Sequence, residues 1–134
     1  MRLAVRARYG AATSPWKTDA VLYDVRANWR KVGRLSFRPS TDIRNLLYAG
    51  QVGYRIAEQY RGRGYAAEAV RLLLPIARGR GLDELWVTCN PDNRASIRTL
   101  EKIGAVYVET VDLPPGEYYY ERGEVQKRRY RIDI

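Results

Sequence analysis

Apolar and polar residues alternate from Val21 to Ala27 and again from Val32 to Phe37, on either side of Asn28 to Lys31. That period of two, broken by a short polar turn, predicts a β-hairpin. Upstream, residues 1–20 show no clear period and read as an uncertain, partly irregular segment. Arg38 to Gly50 reads as a loop. Gln51 to Ala57 alternates again, with Val52, Tyr54 and Ile56 on one face, and predicts a strand. A charged, glycine-rich stretch follows, Gln59-Tyr60-Arg61-Gly62-Arg63-Gly64. From Tyr65 the spacing becomes helical, with Ala66, Val70, Leu73, Leu74 and Ala77 on one face. Arg78 and Arg80 fall in the last turn, Gly81 suits a C-terminal cap, and Pro75 predicts a kink. Glu84 to Cys89 alternates as a strand through Leu85, Val87 and Cys89. Asn93 suits the cap of a second helix with Ile97, Leu100 and Ile103 inward and Gly104 at its end. Val106 to Leu113 and Val125 to Ile134 read as strands joined through Pro114-Pro115-Gly116. The order β-β-β-α-β-α-β-β predicts one α/β domain over residues 1–134, built on a mixed sheet.

Composition narrows the chemistry. The chain of 134 residues contains no histidine and one cysteine, Cys89. A Ser-His-Asp triad, a Cys-His pair and a thiolate or histidine metal site are therefore excluded, and the expected metal set is empty. Proton transfer falls to carboxylates, Tyr, Lys, Ser or water. A single cysteine forms no internal disulfide, and no apolar run is long enough to span a bilayer, so the expected location is the cytoplasm, away from membrane. The formal net charge is +9, and Arg supplies most of it. Such an excess attracts anions, whether nucleic acid or a phosphorylated cofactor. A heat-adapted surface or a GC-rich genome explains it equally well.

A strand, then Gly62-Arg63-Gly64, then a helix is a physical recipe for holding phosphate. Glycine reaches positive φ, the first N–H groups of the helix point outward without partners, and Arg61 and Arg63 add charge. A plain charged turn with a glycine cap is the competing reading. A Walker loop is excluded because no Gly-Lys-Ser/Thr follows. Gly62-x-Gly64-x-x-Ala67 comes close to the dinucleotide fingerprint. That site needs an acid at the end of the next strand, and this strand ends in Thr88-Cys89-Asn90.

Gln59-x-x-Gly62-x-Gly64 resembles the Gln/Arg-x-x-Gly-x-Gly/Ala signature of the GNAT acetyltransferases, placed between a strand and a helix as in that family. Asn93-Arg94-Ala95-Ser96, running on to Glu101-Lys102-Ile103-Gly104, resembles the family's second block. Gly53-Tyr54, Tyr65-Ala66 and Thr88-Cys89-Asn90 look closest to the branch of ribosomal-protein and small-substrate N-acetyltransferases. The resemblance runs from about Lys31 to the C-terminus. It implies the acyl-CoA N-acyltransferase fold, with a mixed, mostly antiparallel sheet whose fourth and fifth strands splay apart. It also implies acetyl-CoA as co-substrate and an amine as acceptor. The amides from Arg61 through Gly62, Arg63 and Gly64 to Tyr65 would hold the pyrophosphate. The backbone near Ile56 and Glu58 would bond pantetheine, as would Asn93. Arg94 or Arg98 would meet the 3′-phosphate, unless both are plain solvated charges on the helix.

The implied chemistry is direct attack of a neutral amine on the thioester, with the Ile56 N–H as a candidate to polarise its carbonyl. The chain departs from the family at several positions. Many members carry a Tyr acid just before Glu-Lys-x-Gly, where this chain has Leu100. Ser96, one turn earlier, is the substitute, and its competing role is a first-turn hydroxyl bonded to backbone. Gln51 stands near the place of a family Glu base. Glu58 is the nearest acid in sequence and serves as the candidate base, unless it pairs with Arg61 or Arg63 or a water chain takes the proton. Cys89 reads as a small buried hydrophobe rather than as a nucleophile. The family's N-terminal strand and helices, which cover one side of the acceptor cleft, are expected to be largely missing.

Two other functions compete. One is a non-catalytic acyl-CoA-binding module of the same fold. The other, ranked lower, is a basic nucleic-acid-binding domain that uses Tyr118-Tyr119-Tyr120 and Lys127-Arg128-Arg129. A homodimer is expected, formed through the C-terminal strands and their tyrosines Tyr107, Tyr118, Tyr119, Tyr120 and Tyr130, unless residues 1 to 20 fold back over the same surface and leave a monomer.

Overall fold

The computed structural model describes residues 1–134. Seven strands form one sheet: β1 (Arg2–Tyr9), β2 (Ala20–Ala27), β3 (Arg30–Phe37), β4 (Val52–Ile56), β5 (Glu84–Cys89), β6 (Val106–Asp112) and β7 (Gln126–Asp133). Their spatial order is β1-β2-β3-β4-β5-β7-β6, antiparallel throughout except between β4 and β5. Two helices, α1 (Tyr65–Gly79) and α2 (Arg94–Lys102), connect β4 to β5 and β5 to β7's neighbour β6. This is the mixed, mostly antiparallel α/β architecture expected. No helix is long and apolar enough to cross a membrane.

The core lies between the sheet and the helices. Val25, Leu35 and Phe37 are fully buried against Val70, Leu73 and Ala77 of α1 and Leu100 of α2. The period-two alternation of β2 and β5 is what turns Val21, Tyr23, Val25, Leu85 and Val87 to that side. The β2–β3 turn is tight because Asn28 and Trp29 both take positive φ, 51° and 75°.

Several expectations change. Residues 1–20 are not irregular, since β1 pairs with β2 along Arg2–Tyr9. Its period was hidden because β1 is an edge strand with a bulge between Val5 and Ala7 and little buried surface. The N-terminal strand is therefore present, and only the helices are missing: residues 10–19 connect β1 directly to β2. The Arg38–Gly50 loop contains a short π-type helical turn, Asn45–Ala49. α1 runs on through Pro75 to Gly79 and buries Ala67, Ala69, Val70, Leu73 and Ala77, with Leu74 half-buried against the core. Leu113 to Val125, with a short helical turn at Tyr120–Arg122, connects β6 to β7, a longer crossing than Pro114-Pro115-Gly116 alone.

Candidate functional site

β4 and β5 meet at one pair, Val52 opposite Val87, and part beyond it. Gln51 ties the closed end. Its N–H donates to the Trp86 carbonyl at 2.7 Å, and its side-chain Oε1 accepts from the Trp86 N–H at 2.9 Å. Gln51 thus stands in for a missing rung of the sheet. On the other side of β4, the bonds Arg38 N–H to Gln51 O and Ala57 N–H to Val32 O set the register with β3. The alternation of an antiparallel ladder then gives Gly53 and Arg55 to β3 and turns the backbone N–H and C=O of Tyr54 and Ile56 toward the parting.

At the mouth of the parting the chain leaves β4 through a short helical turn, Glu58–Tyr60, and enters the glycine turn. Gly62 and Gly64 take φ of 81° and 75°, a region that favours glycine. Gly64 caps α1 without any side-chain bond. The N–H groups of Gly62, Arg63, Gly64, Tyr65, Ala66 and Ala67 find no acceptor within the chain. The Arg61 N–H differs from that expectation, because it donates to the Glu58 carbonyl at 3.2 Å. The free run therefore starts one residue later and extends two residues further into α1. Lys102 reaches back from α2, and its Nζ would lie 2.7 Å from a Cβ placed on Gly64.

These groups border a cavity of about 570 Å³ on the helix side of the sheet. Of the residues picked from sequence, Ile56, Arg61, Gly62, Gly64, Tyr65, Asn93 and Ser96 line it, as does Arg98. Arg63 does not, and its guanidinium lies over the Tyr60 ring, 5.8 Å from the centroid. Arg94 and Glu58 do not either. Glu58 is exposed on its turn and makes no ion pair with Arg61 or Arg63; Arg61 Nε donates to the Ile56 carbonyl at 3.0 Å instead. Sequence adjacency misled here, because the chain turns away from β4 at Ala57.

Where the strands part, Tyr54 Oη and Ser96 Oγ are hydrogen-bonded at 2.7 Å. Asn93 holds α2 in place, since its Oδ1 accepts the Ser96 N–H at 3.1 Å. Its amide nitrogen has no partner in the chain. Burial pushes the Tyr54 phenol up to about 12, against the opposing Ser96 hydrogen bond. Burial also pushes the neighbouring Cys89 thiol up, which keeps it protonated, as expected of a buried hydrophobe. Sequence reasoning missed Tyr54. Its signal was a hydroxyl-bearing aromatic in the row Val52, Tyr54, Ile56, beside the glycine turn.

A second cavity, about 360 Å³, lies on the sheet's other face, and Tyr54, Arg55, Asn93 and Ser96 border both. Residues 10–19 help to close it. Trp16 Nε1 donates to Tyr119 Oη of the β6–β7 connection at 3.3 Å, and the Trp16 ring lies 4.6 Å from the Arg38 guanidinium. Arg38 is 2% exposed and has no carboxylate partner. It donates to Gly50 O at 3.0 Å, Ser36 Oγ at 2.7 Å and Ala49 O at 3.0 Å. Burial lowers its guanidinium to about 10, still a cation at neutral pH. Glu124 is the one acid in this lining; it accepts from Asn90 Nδ2 at 2.6 Å and pairs with Lys127 at 3.4 Å.

A sheet parted between two parallel strands, with unpartnered amides at one mouth and a second recess behind, defines the acyltransferase class of α/β folds. The comparisons with known proteins agree. The family model for the acetyltransferase (GNAT) domain matches residues 4–106, and the chain belongs to that family. The uncharacterized protein YkkB of Bacillus subtilis (strain 168) is 39% identical over 62 residues, 46% of this chain and 36% of its own length. Among solved structures, the Salmonella typhimurium acetyltransferase that modifies the N-terminal serine of the 50S protein L7/L12 superposes with a TM-score of 0.64 at 19% identity, covering 86% of this chain and 64% of that one. Mycobacterium smegmatis RimJ, solved with CoA-disulfide, gives 0.67 at 18% identity, covering 86% and 53%. The microcin C7 self-immunity acetyltransferase MccE, solved with acetyl-CoA and AMP, gives 0.63 at 18%, covering 86% and 61%. At these identities the structures speak for the fold. This chain spans less than two thirds of their length.

Proposed function

We propose that the chain is an N-acetyltransferase that moves the acetyl group of acetyl-CoA to a primary amine by direct attack on the thioester. One observation carries the reading. The free amides of Gly62 to Ala67 open into a cavity that ends at the Tyr54–Ser96 pair, where β4 and β5 part.

The residues present fit the co-substrate. The amides and the α1 dipole suit a pyrophosphate, with Lys102 and Arg61 as cations beside it. The backbone groups of Tyr54 and Ile56 that face the parting suit an extended pantetheine arm, as does the free amide of Asn93. The Ile56 carbonyl is already held by Arg61, so its N–H is the group left to receive an acceptor. Acetyl-CoA supplies an activated acyl carbonyl at this point. The Ser96–Tyr54 pair donates a proton to the departing sulfur: Ser96 Oγ gives it, the Tyr54 hydroxyl replaces it on Ser96, and water returns a proton to Tyr54. The amine enters from the other cavity. Glu124 or water takes the proton it releases, and Glu58 has no part. Location in the cytoplasm and assembly into a homodimer belong to the same proposal; the dimer is supported by the exposed β6 edge.

Acetyl-CoA should raise the melting temperature, because it binds the folded chain alone. A double variant, Gly62→Val with Gly64→Val, should melt lower without ligand, since a side chain at positive φ costs about 1–2 kcal/mol. In that variant the ligand-induced shift should vanish. A shift of parental size would mean that the turn does not hold the cofactor.

A further inference from the structure

The second cavity is lined by four cations, Arg34, Arg38, Arg55 and Lys127. Arg34 and Arg55 are register partners on β3 and β4 and line its mouth. Both side chains are exposed, and like charges directly opposite on one sheet face are destabilising. Neither guanidinium makes a hydrogen bond or an ion pair within the chain. Asp24 is the β2 partner of Arg34 in the same row, yet its carboxylate goes to Lys31 at 3.1 Å and Arg6 at 3.6 Å. In the same lining Arg38 is a buried cation with no carboxylate partner, held by two carbonyls, the Ser36 hydroxyl and the face of the Trp16 ring. The only acid of the lining, Glu124, is engaged by Lys127 and Asn90. A buried charge without a counter-ion is costly, and a perturbed cation beside a cleft marks a candidate binding site.

We infer that the acceptor amine carries its own anionic oxygen group, a carboxylate or a phosphate, and that Arg34 and Arg55 bind it over the Arg38 cation. This inference rests on the acetyltransferase reading for the role of the cavity. Arg55 borders both cavities, so an anion held there keeps the amine of the same small molecule near the Tyr54–Ser96 pair. Guanidinium forks suit both anions, and charge-assisted bonds of this kind separate a charged ligand from its neutral twin by about tenfold or more.

Matched twins provide the test. The CoA-saturated protein is titrated calorimetrically with glycine against glycinamide, and with phosphoethanolamine against ethanolamine. Turnover is then measured for each. In the parent, at least one anionic member should bind about tenfold more tightly than its neutral twin, and should do so less well at high salt. The glycine arm identifies a carboxylate and the phosphoethanolamine arm a phosphate. In Arg34→Gln with Arg55→Gln the gap should shrink to below about threefold, mainly through KM. Equal affinity within both twin pairs, absence of binding by all of them, or a gap that survives in the double variant would overturn the proposal. Failure of the acetyltransferase reading shows separately, as no melting shift with acetyl-CoA.

Discussion

Ser96 has two candidate roles, and its partner bears on the choice between them. A hydroxyl in the first turn of a helix commonly bonds backbone. Here Asn93 already caps that turn, and Ser96 Oγ instead meets the Tyr54 hydroxyl at 2.7 Å where the strands part. Ser96→Ala and Tyr54→Phe should each lower kcat by about 100-fold, the usual worth of a positioned acid, while the acetyl-CoA melting shift is kept. Parental turnover in both variants would return the pair to a structural role. Tyr54 also makes an alkaline prediction. Burial raises its phenol above the ordinary 10 to about 12, so between those values the unfolded chain loses a proton that the folded chain keeps. Stability is therefore unaffected below pH 10 and falls as pH rises toward 12, by roughly 2–3 kcal/mol. Urea denaturation of Tyr54→Phe should lack that part of the slope. Gly62, Gly64 and Asn93 were legible in sequence because their work is local: a positive φ or a cap. Tyr54, Lys102 and Arg38 were not, because each acts through a neighbour from a distant element.

The elements were legible where one face is buried. β2, β5 and both helices announce themselves by period, since their inward residues pack on one core. β1 failed that test because an edge strand with a bulge buries too little to need a pattern. β6 is the opposite edge, and it differs from β1 in a useful way. β1 carries Arg2, Arg6 and Arg8, charges that discourage pairing. β6 exposes Val106 at 46%, Tyr107 at 46% and Val108 at 39%. Of the tyrosines expected at an interface, Tyr130 is buried within the chain and Tyr119 packs against Trp16, while Tyr107, Tyr118 and Tyr120 stay exposed. A two-fold pairing of β6 with β6 of a second copy would continue the sheet and cover those apolar groups. Light scattering at micromolar concentration should give twice 15.5 kDa, and Val108→Lys should return it to 15.5 kDa. A mass of 15.5 kDa for the parent across the range would rule the dimer out.

At the scale of the whole molecule, the two cavities share a wall at Tyr54, Arg55, Asn93 and Ser96, and that sharing is what makes a transfer reaction reasonable. The sequence motifs pointed to the first cavity, because a phosphate turn is contiguous in the chain. The second cavity draws on residues from Trp16 to Lys127, so no local pattern marked it. The net charge of +9 proved informative only in placement, with Arg34, Arg38 and Arg55 together on one side of the parting. In place of N-terminal helices, residues 10–19 bring Trp16 into the recess against Tyr119, in keeping with the alternative that the N-terminal segment folds back over this surface. The most direct measurement mixes the purified chain with acetyl-CoA and a panel of anionic and neutral primary amines, and follows free thiol and amine mass together. The expected result is thiol release matched by an amine heavier by one acetyl group, lost in Ser96→Ala. Acetyl-CoA binding with no acetylated amine anywhere in the panel would contradict it, and would leave a binding module without catalysis.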